Sequence, residues 1–359
     1  MQAVLRNDGR DVLGYGPPAG HPPLRRFIAG EMRQRGMHVS EEEIVVTNGS
    51  QQAIDLIARA LVDPGDGVLV ENPTYLGAVQ VFQSYGAEID GIPVDSEGAM
   101  VSVVPDAIER RRPKLLYLMP NFQNPTSRTM SRSRRESLAA VLASGRVVVV
   151  EDDFGGELRY EGEDLPTLKS LDRGGCVVYL STFGKKLLPG LRVGWLAAPQ
   201  PLAERIAHLK KISDYSTSVL LQAALHEFCR RGELRRHLGQ VVGHYRERRD
   251  AMLAALEDCF PRSAEWTRPE GGLVVWVTLP DGVGAEDVAA EASAQGVLVG
   301  CGDLFYLGRP RRENLRLAFS QASPVQIRDG VGILGQIINR KIAVQAGRKN
   351  PPEQPLPLI

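Results

Sequence analysis

Ser181-Thr182-Phe183-Gly184-Lys185-Lys186-Leu187-Leu188-Pro189-Gly190-Leu191-Arg192-Val193-Gly194-Trp195 is the stretch on which the reading of this chain turns. An apolar run over residues 176–180 leads into it as a buried strand, and apolar sequence resumes over 193–198. Between them stand small and hydroxyl residues, a lysine pair and an arginine. A lysine just past a buried strand can be desolvated, which lowers its pKa and makes its amine a nucleophile. Thr182 and Arg192, one on each side, offer a hydroxyl and a charged fork, a combination suited to phosphate. Taken alone, such a stretch is more often a solvated lysine pair after a strand. The rest of the chain decides between the two.

Working outward, other buried strands end in polar clusters too. Residues 44–47 read as a strand followed by Asn48-Gly49-Ser50-Gln51-Gln52, with Ser50 as the expected cap of a helix through residue 61. Exposed N–H groups at such a helix start attract a phosphate. A strand over 67–71 leads to Asn72-Pro73-Thr74-Tyr75, and one over 115–119 to Pro120-Asn121-Phe122-Gln123-Asn124-Pro125-Thr126. A helix over 131–142 precedes four consecutive valines, 147–150, which end in Glu151-Asp152-Asp153. The valine run lacks alternation, as expected of a strand covered by helices on both faces. Strands alternating with helices indicate an α/β domain with a mostly parallel sheet, and ligands of such sheets sit at the carboxyl ends of the strands.

The expected division follows from this rhythm. Residues 1–23 form a turn-rich N-terminal segment, 24–232 the large domain and 233–344 a smaller α+β domain with strands at 271–277, 297–299 and 314–319. Residues 345–359 hold four prolines and read as a disordered tail. A helical stripe starts at Leu24, and Ser40-Glu41-Glu42-Glu43 has the pattern of a capping box, although a strand follows at once. The 359 residues suffice for a large domain and a small one. Lys+Arg and Asp+Glu both number 43, so global charge gives no reason to expect a nucleic-acid partner. No apolar run approaches the ~18 residues of a membrane span, and the N-terminus has no signal-peptide core. The cysteines, Cys176, Cys229, Cys259 and Cys301, are too scattered for a metal site and fit buried thiols in a reducing, cytoplasmic setting.

With these clusters in view, residues 13–342 resemble the fold type I class I/II aminotransferases that use pyridoxal 5′-phosphate. The similarity is to the aminoadipate/kynurenine aminotransferase branch and to the aminotransferase-like domain of MocR-type regulators. It rests on motifs in the family's order: Tyr15 with Pro18-Ala19-Gly20, Gly49-Ser50-Gln51, Asn72-Pro73-Thr74-Tyr75, Asn124-Pro125, Glu151-Asp152-Asp153, Thr182 to Lys185 with Pro189 to Arg192, and Asn314-Leu315-Arg316. The resemblance implies the PLP-dependent transferase fold type I, a large domain with a mostly parallel seven-stranded sheet and a smaller α+β C-terminal domain.

It also implies roles. Lys185 would join the cofactor as a Schiff base and then shuttle the Cα proton, with Lys186 outside the site. Asp152 would pair with the pyridine nitrogen, leaving Asp153 as a structural hydrogen-bonder. Asn124 would donate to the ring O3′ oxygen and lie near substrate, while Tyr75 would stack on the ring. Gly49, Ser50, Gln51, Thr182 and Arg192 would form the phosphate cup. Tyr15 would reach the phosphate of a partner subunit, which implies a homodimer. Arg316 would hold the substrate α-carboxylate by a bidentate fork.

Three departures from the family pattern bear on function. Phe154 and Gly155 stand where relatives carry a tyrosine, so an O3′ donor is missing and extra room is expected beside that oxygen. Gly184 stands where a serine is usual before the lysine. Only fourteen residues precede Tyr15, so neither an N-terminal arm nor a winged helix is expected. The expected activity is amino-acid transamination. The alternatives are another PLP reaction of specialised biosynthesis (oxidative, decarboxylating, eliminating or carbon–carbon bond-forming) and a sensor domain without turnover. Side-chain selectivity is expected to depend on loops 13–23, 213–217 and 301–312, and His21 is expected to be a turn residue.

Overall fold

The computed structural model describes residues 1–349 except Ser144 and Arg146, with the side chains of Asn7, Asp8 and residues 346–349 also set aside. The chain divides into two compact units, residues 1–244 with 270–272 and residues 245–269 with those from 273 onward. The expected boundary at 232/233 therefore moves into a helix, and the N-terminal segment belongs to the first unit. Among the described residues, the first unit contains α1 (Gln2–Val12), α2 (Pro22–Gln34), β1 (Ile44–Thr47), α3 (Ser50–Leu61), β2 (Gly67–Asn72), α4 (Leu76–Ser84), β3 (Glu88–Asp95) and β4 (Gly98–Ala99). It continues through α5 (Val104–Arg111), β5 (Leu115–Leu118), α6 (Arg132–Leu142), β6 (Val148–Asp152), α7 (Leu168–Leu171), β7 (Val177–Thr182), β8 (Gly194–Ala197), α8 (Gln200–Ser213) and α9 (Val219–Arg230). Helix α10 (Glu233–Cys259) passes from the first unit into the second.

The sheet order is β1-β8-β7-β6-β5-β2-β3-β4. Strands β7, β6, β5, β2 and β3 run parallel, β8 is antiparallel to both β7 and β1, and two-residue β4 folds back on β3. The expected seven strands are thus present with a short hairpin partner as the eighth. Every residue of β1, β5, β7 and β8 is buried, which is why their sequences are apolar without alternation. One apolar cluster joins Leu24, Ile28 and Met32 of α2 to Ile44, Tyr179, Phe183, Trp195 and Leu225. Another joins Leu69, Leu116, Leu118, Val149 and Val177 to Leu138 and Leu142 of α6.

The second unit adds β9 (Glu265–Trp266), β10 (Val274–Thr278), α11 (Ala285–Ala294), β11 (Gly300–Cys301), β12 (Asn314–Ala318) and α12 (Pro324–Lys349). Its antiparallel sheet has the order β11-β12-β10-β9.

Further sequence expectations change. Residues 2–12, read as part of a turn-rich segment, form α1, whose Val4 and Val12 pack with Val219 and Ala223 of α9. The short strand expected at 297–299 lies at Gly300–Cys301 instead, and Leu298 is exposed. Of the tail expected to be disordered from Gln345, residues 345–349 continue α12 to Lys349, and residues 350–359 lie outside the described ones. Ser40 donates its N–H to Glu43 at 2.8 Å, so half of the capping box forms in a turn that no helix follows.

Candidate active site

The lysine turn hangs between two paired strands. Thr182 of β7 faces Gly194 of β8, and Phe183 N donates to Val193 O at 2.9 Å, which closes the base of the excursion. The turn itself is held by Leu187 N to Phe183 O, 2.8 Å. Its two lysines part company. Lys185 is exposed, whereas Lys186 is buried against Trp195, its ammonium 4.8 Å from the indole centroid, and pairs with Glu157. Burial, aided by the Arg35 charge, pushes the Lys186 pKa down to about 7. Lys186 is thus committed to the interior, and Lys185 is the amine at the surface of the turn.

At the end of β6 three consecutive acids have three environments, because adjacent strand residues point to opposite faces. Asp152 is buried and accepts from Tyr117 Oη at 2.6 Å and from Phe154 N at 3.1 Å. Burial pushes its pKa up to about 7, while the Tyr117 bond and the Lys185 charge act the other way. Asp153 is also buried, but Arg35 at 2.8 Å, Tyr179 at 2.6 Å and Asn121 at 2.8 Å surround it. These overcome the upward push of burial and hold it at about 2. Glu151 accepts the N–H groups of Leu168 and Lys169, and burial raises it to about 7. Asp153 and Glu151 therefore serve the scaffold.

The start of α3 forms a cradle. The cap position belongs to Gly49, not Ser50, and no side chain closes the helix start. Gly49 has a φ of +83°, and a Cβ on it would lie 2.7 Å from Arg192 Nη2. Arg192 donates to Asn48 O at 3.0 Å. Gly194 is pressed equally close, since its Cβ would lie 2.7 Å from the Gly49 carbonyl carbon. Open N–H groups beside an arginine make an anion site. Gln51 links this start to the second loop: its Nε2 donates to Gly77 O at 2.9 Å and its Oε1 accepts from Tyr75 Oη at 3.1 Å. The Asn124 loop is tied in by Gln123, whose Nε2 donates to Pro73 O at 2.6 Å.

Thr182 Oγ1 donates to Val193 O at 3.2 Å and accepts from Gly184 N at 3.0 Å. A Cβ on Gly184 would stand 3.2 Å from that hydroxyl, which gives glycine at 184 a physical reason. At Gly155 nothing lies within 4 Å of where a Cβ would be, so the position is open.

Two expected residues have surroundings of their own. Tyr15 is 89% exposed, its ring 5.0 Å from that of Tyr215. Arg316 belongs to the second unit, on β12 between Trp276 and Gly300, its guanidinium 5.0 Å from the Phe305 ring centroid. Sequence reasoning missed Tyr117 and Arg35, the partners of the two aspartates. Tyr117 sits inside an apolar run and Arg35 at a helix end, positions that carry no outward signal.

The donor set fits pyridoxal 5′-phosphate: an amine for the aldehyde, a buried carboxylate for the ring nitrogen, and a glycine-lined cationic cradle for the phosphate. Among the described residues there is no cluster able to hold a metal ion, and no helix is long and apolar enough to cross a membrane.

Known proteins point the same way. The profile of aminotransferase class I and II matches residues 1–334. Aromatic-amino-acid aminotransferase 1 of Thermococcus litoralis is 38% identical over 345 residues, covering 94% of this chain and 83% of that protein. The structure of Pyrococcus horikoshii kynurenine aminotransferase, in complex with PMP, superposes with a TM-score of 0.91 at 36% identity, covering 95% of this chain and 86% of that one. LysN, the α-aminoadipate aminotransferase of Thermus thermophilus, complexed with N-(5′-phosphopyridoxyl)-L-leucine, gives 0.90 at 35%, covering 96% and 87%. A site built for a phosphorylated aldehyde, on this fold and with these relatives, makes the chain a member of the class I and II aminotransferases, enzymes dependent on pyridoxal 5′-phosphate.

Proposed function

We propose that this aminotransferase passes the amino group of an α-amino acid with a long or bulky side chain to a 2-oxo acid, using Lys185 as its proton carrier. The observation that carries the assignment of roles is a contrast between neighbours: Lys185 is exposed while Lys186 is buried and paired with Glu157, and Asp152 meets only the Tyr117 hydroxyl and a backbone N–H while Asp153 is held by Arg35. Pyridoxal phosphate, when bound, supplies an aldehyde that takes the amino group and a cationic ring that withdraws electrons from the substrate Cα–H bond. Asp152 keeps the proton of the ring nitrogen in place, and Tyr117 and Phe154 N orient its carboxylate. Gly49, Ser50, Gln51, Thr182 and Arg192 bind the phosphate, Tyr75 and Asn124 orient the ring, and Asn124 also borders the substrate. Lys185 Nζ removes the substrate Cα proton and redelivers it. Arg316 grips the substrate α-carboxylate. The open position at Gly155 and the substrates named in the relatives, aromatic amino acids, kynurenine and α-aminoadipate, support a roomy side-chain pocket.

Borohydride reduction of the holoenzyme followed by peptide mapping is expected to place the cofactor on Lys185. A tag on Lys186, on another lysine or on none ends this assignment. Incubation with single amino acids is then expected to yield the matching 2-oxo acid and pyridoxamine phosphate in equal amounts. Product without pyridoxamine phosphate would move the reading to eliminating or decarboxylating chemistry, and binding without any product to a sensor.

A further inference from the structure

The turn that carries Asn48 and Gly49 is braced from behind by a carboxylate that the reading above leaves unused. Asp214 caps the C-terminal end of α8 and accepts four hydrogen bonds. Asn48 Nδ2 lies at 2.6 Å, Gln52 Nε2 at 2.8 Å, and Lys210 Nζ at 2.7 and 2.8 Å from its two oxygens. Lys210, one helical turn earlier, is completely buried. Gln52 Oε1 in turn accepts Asn48 N at 2.8 Å, and Asn48 O accepts Arg192 Nη2 at 3.0 Å. A continuous chain of bonds therefore runs from Lys210 through Asp214 and Asn48 to the arginine of the cradle. Asn48 and Gln52 flank Gly49-Ser50-Gln51, whose N–H groups form the open start of α3.

A lysine–aspartate pair with the lysine buried and the aspartate half-buried adds little to stability, because desolvation offsets much of the attraction. Its value here lies in where the carboxylate points, at one amide on each side of the cradle. We propose that Asp214 is a positioning residue for phosphate: it fixes the turn at Asn48 so that the first N–H groups of α3 and the Arg192 guanidinium converge on the anion. The inference rests on the cofactor reading given above, and deepens it by naming the group that pre-orders the phosphate subsite before the phosphate arrives.

The test compares two aldehydes on the cofactor-free full chain: pyridoxal phosphate, and pyridoxal, which has the same ring without the phosphate. Binding is read by absorbance and by borohydride trapping at Lys185. In Asp214→Asn the charge is lost and one of the two acceptor oxygens becomes an N–H donor, which must face either the Lys210 ammonium or the Asn48 and Gln52 amides. The dissociation constant for pyridoxal phosphate is expected to rise about tenfold, equivalent to about 1.4 kcal/mol, while that for pyridoxal changes less than about twofold. Asn48→Ala leaves the Lys210–Asp214 pair intact and is expected to show the same selective loss, which keeps the comparison available should Asp214→Asn fail to fold. Equal weakening of both aldehydes would mean general loosening and overturn the proposal, as would unchanged affinity for both. Wild-type protein that joins neither aldehyde at Lys185 sinks the cofactor reading and this inference together; loss of the phosphate contrast alone sinks only the inference.

Discussion

Asp152 and Asp153 are chain neighbours whose pKa values are shifted in opposite directions, and stability against pH should expose the difference. Burial raises Asp152 to about 7, Glu151 to about 7 and Glu71 to about 8. A carboxyl with a raised folded pKa stabilises fully below its unfolded value, and that contribution is lost as pH climbs through the folded one. Cofactor-free protein is therefore expected to gain stability from these acids as pH falls from about 8 to about 5. Asp153, lowered to about 2, acts only in the acid range, where its stabilisation is lost as pH falls through that value. Lys186, lowered to about 7, contributes most at high pH and loses that contribution as pH falls through 7, so it opposes the acids only at the upper edge of the window. Replacing Asp152 with Asn removes one of the titrating acids. Relative to wild type, D152N is expected to gain about 2 kcal/mol between about pH 5 and about pH 8, read from urea midpoints. Parallel pH slopes for the two proteins would show that Asp152 is not held protonated. At this scale the sequence offered residue types and order, enough to nominate Lys185 and Asp152. It could not show that Tyr117 reaches Asp152 from a neighbouring strand, because that partnership exists only once β5 and β6 are paired.

Elements were legible where burial is complete. The runs that became β1, β5, β6 and β7 are apolar without alternation up to the polar residues that end β1, β6 and β7, since both faces are covered. β3 escaped because Glu88–Asp95 carries Gly91, Pro93 and two aspartates and has only β4, two residues long, on its outer side. α1 escaped because its sequence is polar and includes Gly9; among its described side chains only Val4 and Val12 are buried, and docking on α9 supplies what local preference does not. The contact between β8 and the start of α3 gives a prediction at the same scale. Ala at position 194 would drive its Cβ to 2.7 Å from the Gly49 carbonyl carbon and 2.9 Å from Ser50 N, both backbone atoms that cannot swing aside. G194A is expected to cost about 1–3 kcal/mol in denaturant unfolding and to weaken pyridoxal phosphate binding. A variant with unchanged stability and affinity would show that the strand and the helix start are free to separate.

For the molecule as a whole, the exposed aromatic Tyr15 and the exposed Leu13, Leu188 and Ile212, all in the first unit, suit burial against a second copy. Sedimentation equilibrium is expected to give a dimer, and Tyr15→Phe to weaken cofactor binding without dissociating it. A monomer with full cofactor affinity would remove Tyr15 from the site. The two-unit plan was readable from the change in strand and helix rhythm, but the point of division was not, since α10 hides it inside one continuous helix.

The antiparallel return of β8 onto β7 has an engineering consequence. Because Thr182 and Gly194 pair directly, residues 183–193 leave the sheet and come back to the same place, and they carry both Lys185 and Arg192, the amine and the arginine proposed for the cofactor. Chemistry and scaffold are thereby separable. The segment can be exchanged as a cassette with a relative's, lengthened or trimmed, while the strands that hold its two ends keep their own pairing.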